Sequence, residues 1–319
     1  LRGYGQPLWP PVPPPRWGAR RGPPGRAGAR RRHTAPLAFL APFLIPFVLF
    51  TLVPVGYAFW QSLHKTERTG GTFGRTETVF AGFQQYADVM SEPFFVESLL
   101  RVALFALVQI PVMIALALTL ALLLDSAVVR LKRFFRLVYF VPYGIPGVVA
   151  ALMWAFLYDP RLSPVVDVLR SVHLDVDLLG PDAILWSIGN VVTWTYTGYN
   201  MLIMYAALQA VPADLSEAAR VDGAGPWTIA LRIKVPVIRP ALVLTGVFSL
   251  IGTFQLFTEP QVFRAISTSV TSTYTPNLAA YSLAAGDHYS EAAALSVLLA
   301  VATFALSFLF LRFTARRQG

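Results

Sequence analysis

The chain has 319 residues, of which 55% are hydrophobic and 13% charged, well short of the roughly 25% charged share of a soluble domain. A soluble protein of this length needs a charged exterior, so the composition points to a membrane protein. Cysteine is absent, which excludes disulfides, thiolate catalysis and cysteine metal sites, and the net charge of +9 admits nucleic acid or anionic lipid until the charges are placed.

The first segment, residues 1–34, carries a proline run from Pro11 to Pro15 and a stretch from Arg16 to Arg32 rich in Arg, Gly and Ala. Such a composition cannot bury a core, and a disordered tail whose arginines meet anionic headgroups is expected. Residues 35–319 read as one six-helix transmembrane domain. Runs without charge fall at Pro36–Trp60, Val102–Leu124, Leu137–Tyr158, Ile184–Leu208, Ala241–Phe257 and Ala292–Leu311. At a rise of about 1.5 Å per residue, runs of this length cross a hydrocarbon layer of about 30 Å. The first is too long for a signal peptide and lacks a small-residue cleavage site after Trp60, so it is expected to stay attached.

Positive residues are retained on the cytoplasmic side during insertion. With the N-terminus inside, the cytoplasmic segments hold 19 of the 26 Lys and Arg, while the opposite side holds 13 of the 17 acids. Both termini are therefore expected in the cytoplasm. Topology explains the basic balance, and nucleic acid is not expected as a partner.

None of the six runs contains Asp, Glu, Lys, Arg or His, which disfavours a carrier driven through a carboxylate relay. A sodium site built from carbonyls and hydroxyls stays open. The chain also lacks the Gly-x4-Gly-Lys-Ser/Thr loop that cradles nucleotide phosphates, and its three lysines, Lys65, Lys132 and Lys234, do not follow glycine. If ATP drives the machine, another subunit hydrolyses it.

The segment 211–240 is too polar to cross the bilayer and reads as two short helices. Pro212 and Asp214 suit a helix start, Asp222-Gly223 interrupts, and a second stretch runs from Pro226 through Lys234 until Pro236 stops it. On the first helix Leu215, Ala218 and Ala219 fall at i, i+3 and i+4, a small apolar face suited either to a partner's cleft or to the membrane surface. Gly223 permits a bend that a Cβ would resist.

The spacing of Glu217-Ala218-Ala219, Gly223 and Ile233-Lys234-Val235-Pro236 resembles the Glu-Ala-Ala loop of permease subunits in bacterial binding-protein-dependent ABC importers. Phe80-Ala81-Gly82-Phe83-Gln84-Gln85-Tyr86, Phe134-Phe135-Arg136, Ala206-Ala207-Leu208-Gln209-Ala210-Val211-Pro212 and Ile238-Arg239-Pro240 extend the resemblance to the carbohydrate-uptake group, first of its two permeases. Val235 stands where that group usually has Leu, and Ala265-Ile266-Ser267-Thr268-Ser269 replaces its Gly-Gly-Pro turn. The resemblance implies an all-α type I importer transmembrane domain in the bacterial inner membrane, with a coupling helix around Leu215, Glu217, Ala218, Ala219, Asp222 and Gly223. It also implies a second permease, an ATPase dimer carrying ATP and Mg, an extracytoplasmic solute-binding protein and a sugar substrate.

On the fourth span Tyr196, Tyr199 and Asn200 share a face with Trp194 close by, and the fifth supplies Ser249, Thr253 and Gln255. Together they offer the flat apolar surface and fixed polar groups that a sugar needs, though packing aromatics and helix-bridging hydroxyls look the same in sequence. The four histidines show no ligand spacing. A self-sufficient ion-driven carrier, an importer permease for a non-sugar solute and a non-transporting scaffold are the alternatives.

Overall fold

A computed structural model describes residues 39–69, 75–126, 128–173 and 176–315. The expected tail at 1–34 lies outside them. The chain divides into two units, Leu1–Tyr57 and Ala58–Gly319.

The first unit is described from Phe39, in the helix α1 (Phe39–Ser62), whose apolar side chains are almost all exposed. Phe43 and Phe47, one turn apart, stack at 5.7 Å. A π turn at Val48–Leu52 runs directly into Val53-Pro54. Proline removes one N–H from the helical ladder and crowds the preceding turn, and the wider π turn absorbs both.

Past Ser62, the strands β1 (His64–Thr69) and β2 (Arg75–Phe80) form an antiparallel hairpin, paired from His64 with Phe80 to Thr69 with Arg75. The helix α2 (Gln84–Ser91) follows, and its Tyr86 hydroxyl meets Ser62 Oγ at 2.5 Å. Next comes the longest helix, α3 (Pro93–Asp125), which extends beyond its apolar run at the N-terminal end to include Arg101.

The third run departs from a single span. Helix α4 (Lys132–Phe140), with its 3-10 continuation Val141–Gly144, and helix α5 (Gly147–Tyr158) meet at a bend of 96°. Pro142 and Pro146, each unable to donate, lie on either side of Gly144, and Pro146 biases Ile145 away from helical ψ, which stands at 128°. A short helix α6 (Pro164–Ser171) precedes the fourth run.

The fourth run is one helix, α7 (Ile184–Gln209), of 26 residues, yet it is not among the four helices both long and apolar enough to cross a membrane unaided. Twelve of its residues are buried, among them Ser187, Thr195, Gly198 and Asn200. A helix wrapped by protein need not face lipid, so its sequence is free to be polar. Its main neighbour is α3, where Ala117 and Ala121, both fully buried, let Met201 and Met204 approach closely. Lipid tails are as apolar as leucine, so this close packing of small against large residues, rather than escape from water, holds the pair together.

Helix α8 (Ala213–Val221) and helix α9 (Pro226–Ile229) occupy the loop. The second does not stop at Pro236. It continues through a π turn at Ala230–Lys234 and a last turn Val235–Val237, repeating the π turn and Val-Pro arrangement of α1, and the chain turns only at Ile238. Helix α10 (Arg239–Phe254) then breaks at Gln255–Phe257 and resumes as α11 (Thr258–Phe263), carrying the fifth span six residues past its apolar run. The freed carbonyls are caught from outside the break: Thr275 Oγ1 donates to Leu256 O at 3.0 Å and Asn277 Nδ2 to Gln255 O at 3.0 Å. Such partners are required of any non-helical backbone at membrane depth. Helices α12 (Pro276–Ala285), capped by Thr275 Oγ1, and α13 (Tyr289–Ala315) complete the chain.

Candidate functional site

Two regions collect the residues singled out by sequence. The first is a cavity of about 330 Å³ between α3, α7, α10 and the α10–α11 break. Tyr196, Tyr199 and Asn200 line it from α7, Ser249 and Thr253 from α10, and Gln255 from the break. Trp194 does not reach it. Two residues along a helix turn the side chain through about 200°, and Trp194 instead meets Trp154 edge-on at 5.7 Å beside Thr193 and Thr197.

One wall of the cavity is aromatic. Tyr199 stacks on Tyr143 at 4.6 Å with 17° between the rings, and Tyr196 meets the same Tyr143 at 5.8 Å and 67°. Tyr143 is carried here by the break between α4 and α5, and nothing local in the sequence distinguished it from an interface anchor. Gly198 makes the approach possible, because a Cβ there would lie 1.7 Å from the Tyr139 carbonyl oxygen.

The polar wall includes residues that the apolar-run reading did not single out. Gln109 on α3 donates from Nε2 to Thr193 Oγ1 at 3.3 Å and to Met113 Sδ at 3.4 Å, and Asn200 Nδ2 also reaches Met113 Sδ at 3.4 Å. Glu259 is 8% exposed and lines the cavity from α11. The fifth run ended at Phe257, so sequence reading placed Glu259 in a loop outside the span. The resumed helix brings it in, and the premise that the spans hold no ionisable residue is corrected. The absence of charge therefore carries no argument against an ion-driven carrier.

The second region is α8 and the turn after it. Asp214 lies in its first turn and Arg220 in its last, each complementing the helix dipole. The helix ends as expected of a glycine cap: Gly223 has φ of 83°, its N–H donates to Arg220 O at 3.0 Å, and Ala224 N–H donates to Ala219 O at 2.9 Å. Asp222 N–H closes on Ala218 O at 3.0 Å. Glu217 and Ala218 are exposed and Ala219 half-buried. Leu215 is 45%, Trp227 73% and Val221 89% exposed, so the loop presents apolar side chains without cover from this chain.

The loop is fastened to two spans by Asp125, the last residue of α3. One carboxylate oxygen pairs with Lys234 Nζ and the other accepts from Gln209 Nε2 at 2.7 Å, while Lys132 Nζ donates to the Asp125 carbonyl at 3.2 Å. No local pattern announces that Lys234 meets an acid 109 residues upstream.

Residues 79–317 match the family of binding-protein-dependent transport system inner membrane components. The chain belongs to that family. Among relatives of this inner membrane component, the sn-glycerol-3-phosphate transport system permease protein UgpA of Agrobacterium fabrum is 30% identical, covering 88% of this chain and 95% of its own length. The diacetylchitobiose uptake system permease protein NgcF of Streptomyces coelicolor is 29% identical over 97% of this chain and 93% of its own. A chain from the crystal structure of a bacterial ABC transporter involved in the import of the acidic polysaccharide alginate superposes with a TM-score of 0.77 at 19% identity, over 91% of this chain and 98% of that one. The fold is that of an ABC importer transmembrane domain.

Within this inner membrane component, the segment Ala265–Ser269 that replaces the Gly-Gly-Pro turn is held by side chains. Ser267 Oγ and Ser269 Oγ both donate to the Leu179 carbonyl, at 2.7 and 3.1 Å. Nearby, Arg101 donates to Tyr274 O at 2.9 Å and covers the Tyr274 ring at 4.5 Å. Burial pushes the Tyr274 hydroxyl above its ordinary pKa, and the Arg101 charge partly offsets this.

Proposed function

We propose that this chain is the sugar-conducting permease of an ATP-driven importer, working with a second permease, an ATPase pair and a solute-binding protein outside the membrane. The observation that carries the reading is the cavity at the middle of α3 and α7, which sets stacked tyrosines opposite amide, hydroxyl and carboxylate groups. That combination suits a ring with one apolar face and a rim of hydroxyls. Relatives support it, one named for diacetylchitobiose uptake and another for lactose transport.

Both termini and α8 lie on the cytoplasmic side in this proposal, in agreement with the placement of positive charge. The partner ATPase carries ATP and Mg, and its groove receives Leu215, Glu217, Ala218 and Ala219, with Asp222-Gly223 shaping the end of the docked helix. The pairs around Asp125 then pass movement of the loop to α3 and α7. Closure of the ATPases would shift the population between inward-open and outward-open arrangements.

Replacing Glu217 by Ala, or Gly223 by Val, in the complete transporter tests the docking. Neither side chain belongs to a buried core, and valine in the left-handed region at 223 costs about 1–2 kcal/mol confined to the helix end. The expected result is at least about a tenfold loss of uptake, with less ATPase recovered on the purified permease, melting of this chain unchanged in Glu217→Ala and lowered by only a few degrees in Gly223→Val. Normal ATPase recovery and normal uptake in both variants would show that the loop does not couple.

A further inference from the structure

We infer that the cavity selects hydroxyl-rich solutes that carry no negative charge, and that Glu259 enforces the selection. The inference rests on the cavity being the solute path.

The wall leaves acceptors unsatisfied. Glu259 is 8% exposed and bounds the cavity, and among the described residues no side chain donates to its carboxylate. Gln109 Oε1 is buried with no donor at all. Both are acceptors, and a buried acceptor without a donor is destabilising, more so when it is charged. Asn200 spends an amide N–H on the Met113 thioether, a weak acceptor that a better one would displace. A ligand fitting this wall therefore brings several donors and a modest acceptor. Hydroxyl groups supply both.

Phosphate and carboxylate groups supply the opposite. Among the described residues the lining contains no Lys, Arg or His, so an anionic solute would shed its water beside a carboxylate with no counter-charge in that lining. An unpaired buried charge costs several kcal/mol in such surroundings. The contrast with relatives is informative, because one is named for a phosphorylated polyol and the fold neighbour for an acidic polysaccharide. Membership of the family leaves the charge of the solute open, and this wall answers it.

The test uses the complete membrane complex, purified in detergent without any binding protein so that only the transmembrane path selects. Equilibrium binding of maltotriose and of trigalacturonate, sugars of equal length that differ in charge, is measured at pH 7 for the wild type, Glu259→Gln and Glu259→Lys. The wild type is expected to bind maltotriose at least about tenfold more tightly than trigalacturonate. Glu259→Gln, which keeps the shape and removes the charge, should cut that ratio at least about fivefold, and Glu259→Lys should invert it. Equal or tighter binding of trigalacturonate to the wild type would overturn the inference without any variant, as would an unchanged ratio in Glu259→Gln. If the wild type binds neither trisaccharide, the cavity is not a sugar path, and the failure lies in the underlying reading rather than in the role of Glu259.

Discussion

Gly198→Ala is expected to lower the melting temperature of the detergent-solubilised protein by roughly 10 °C, the consequence of about 3 kcal/mol of overpacking. The added Cβ would sit 1.7 Å from the Tyr139 carbonyl oxygen, 2.5 Å from its carbon and 3.0 Å from Phe140 N. These are backbone atoms, so no rotamer change relieves the clash and α4 must move off α7 as a body. That displacement also carries Tyr143 away from Tyr199, and the aromatic wall of the cavity loses its stacking. Gly252→Ala provides the control, because nothing lies within 4 Å of a Cβ at that helical position. Its melting should stay within a degree or two of the wild type or rise slightly, since alanine favours the helix by up to about 1 kcal/mol. Equal melting of the two variants would mean that α4 and α7 do not pack backbone to backbone.

Lys234→Met is expected to cost about 3 kcal/mol, because it strands the Asp125 carboxylate, whose side chain is only 10% exposed, with Gln209 as its remaining side-chain partner. The double replacement Asp125→Asn with Lys234→Met removes both charges and should recover at least about half of the loss, the behaviour of a coupled pair. If the pair also fastens the loop to the spans, the single variant will hydrolyse ATP with little response to solute, and the double variant will regain stability without regaining that response. Thermal melting and solute-stimulated ATPase rates of the wild type, the two single variants Asp125→Asn and Lys234→Met, and the double variant separate the two effects. A double variant as unstable as the sum of the singles would show that Asp125 and Lys234 act independently.

Much of this architecture was legible because membrane helices announce themselves through composition. Among the described residues each of the six charge-free runs is carried by helix, interrupted in the third at Ile145-Pro146 and in the fifth at Gln255–Phe257, and the cap at Gly223 has the positive φ that its sequence position suggested. What stayed hidden depends on neighbours distant in sequence. The break at Ile145-Pro146 was written in the prolines, yet an apolar count passes over it because proline carries no charge. Glu259 was misplaced for the converse reason: a charge ends an apolar run on paper, although Thr275 and Asn277 hold the interrupted backbone and let the span continue. The hairpin of β1 and β2 went unread, its Thr-rich strands falling outside the search for spans.

Within the candidate site the same division holds. Tyr196, Tyr199 and Asn200 share a face by helical periodicity alone, so their convergence could be foreseen. Tyr143 could not, since only the bend between α4 and α5 brings it to Tyr199. Trp194 was close in sequence but faces another way. Gln109 and Met113 lie one turn apart on α3, inside a run whose apolar length drew attention from the single amide in it. A polar residue inside an otherwise lipid-compatible run is the signal that would have found Gln109.

In the proposed function this chain conducts sugar only as the coupled part of an ATP-driven assembly. Uptake of labelled maltotriose into vesicles holding this chain alone, compared with vesicles holding it together with its second permease, ATPase pair and binding protein, tests that claim directly. Accumulation is expected only in the complete assembly and only with ATP, at a rate at least about tenfold above the chain alone. Accumulation by the chain alone on an imposed proton or sodium gradient would contradict it.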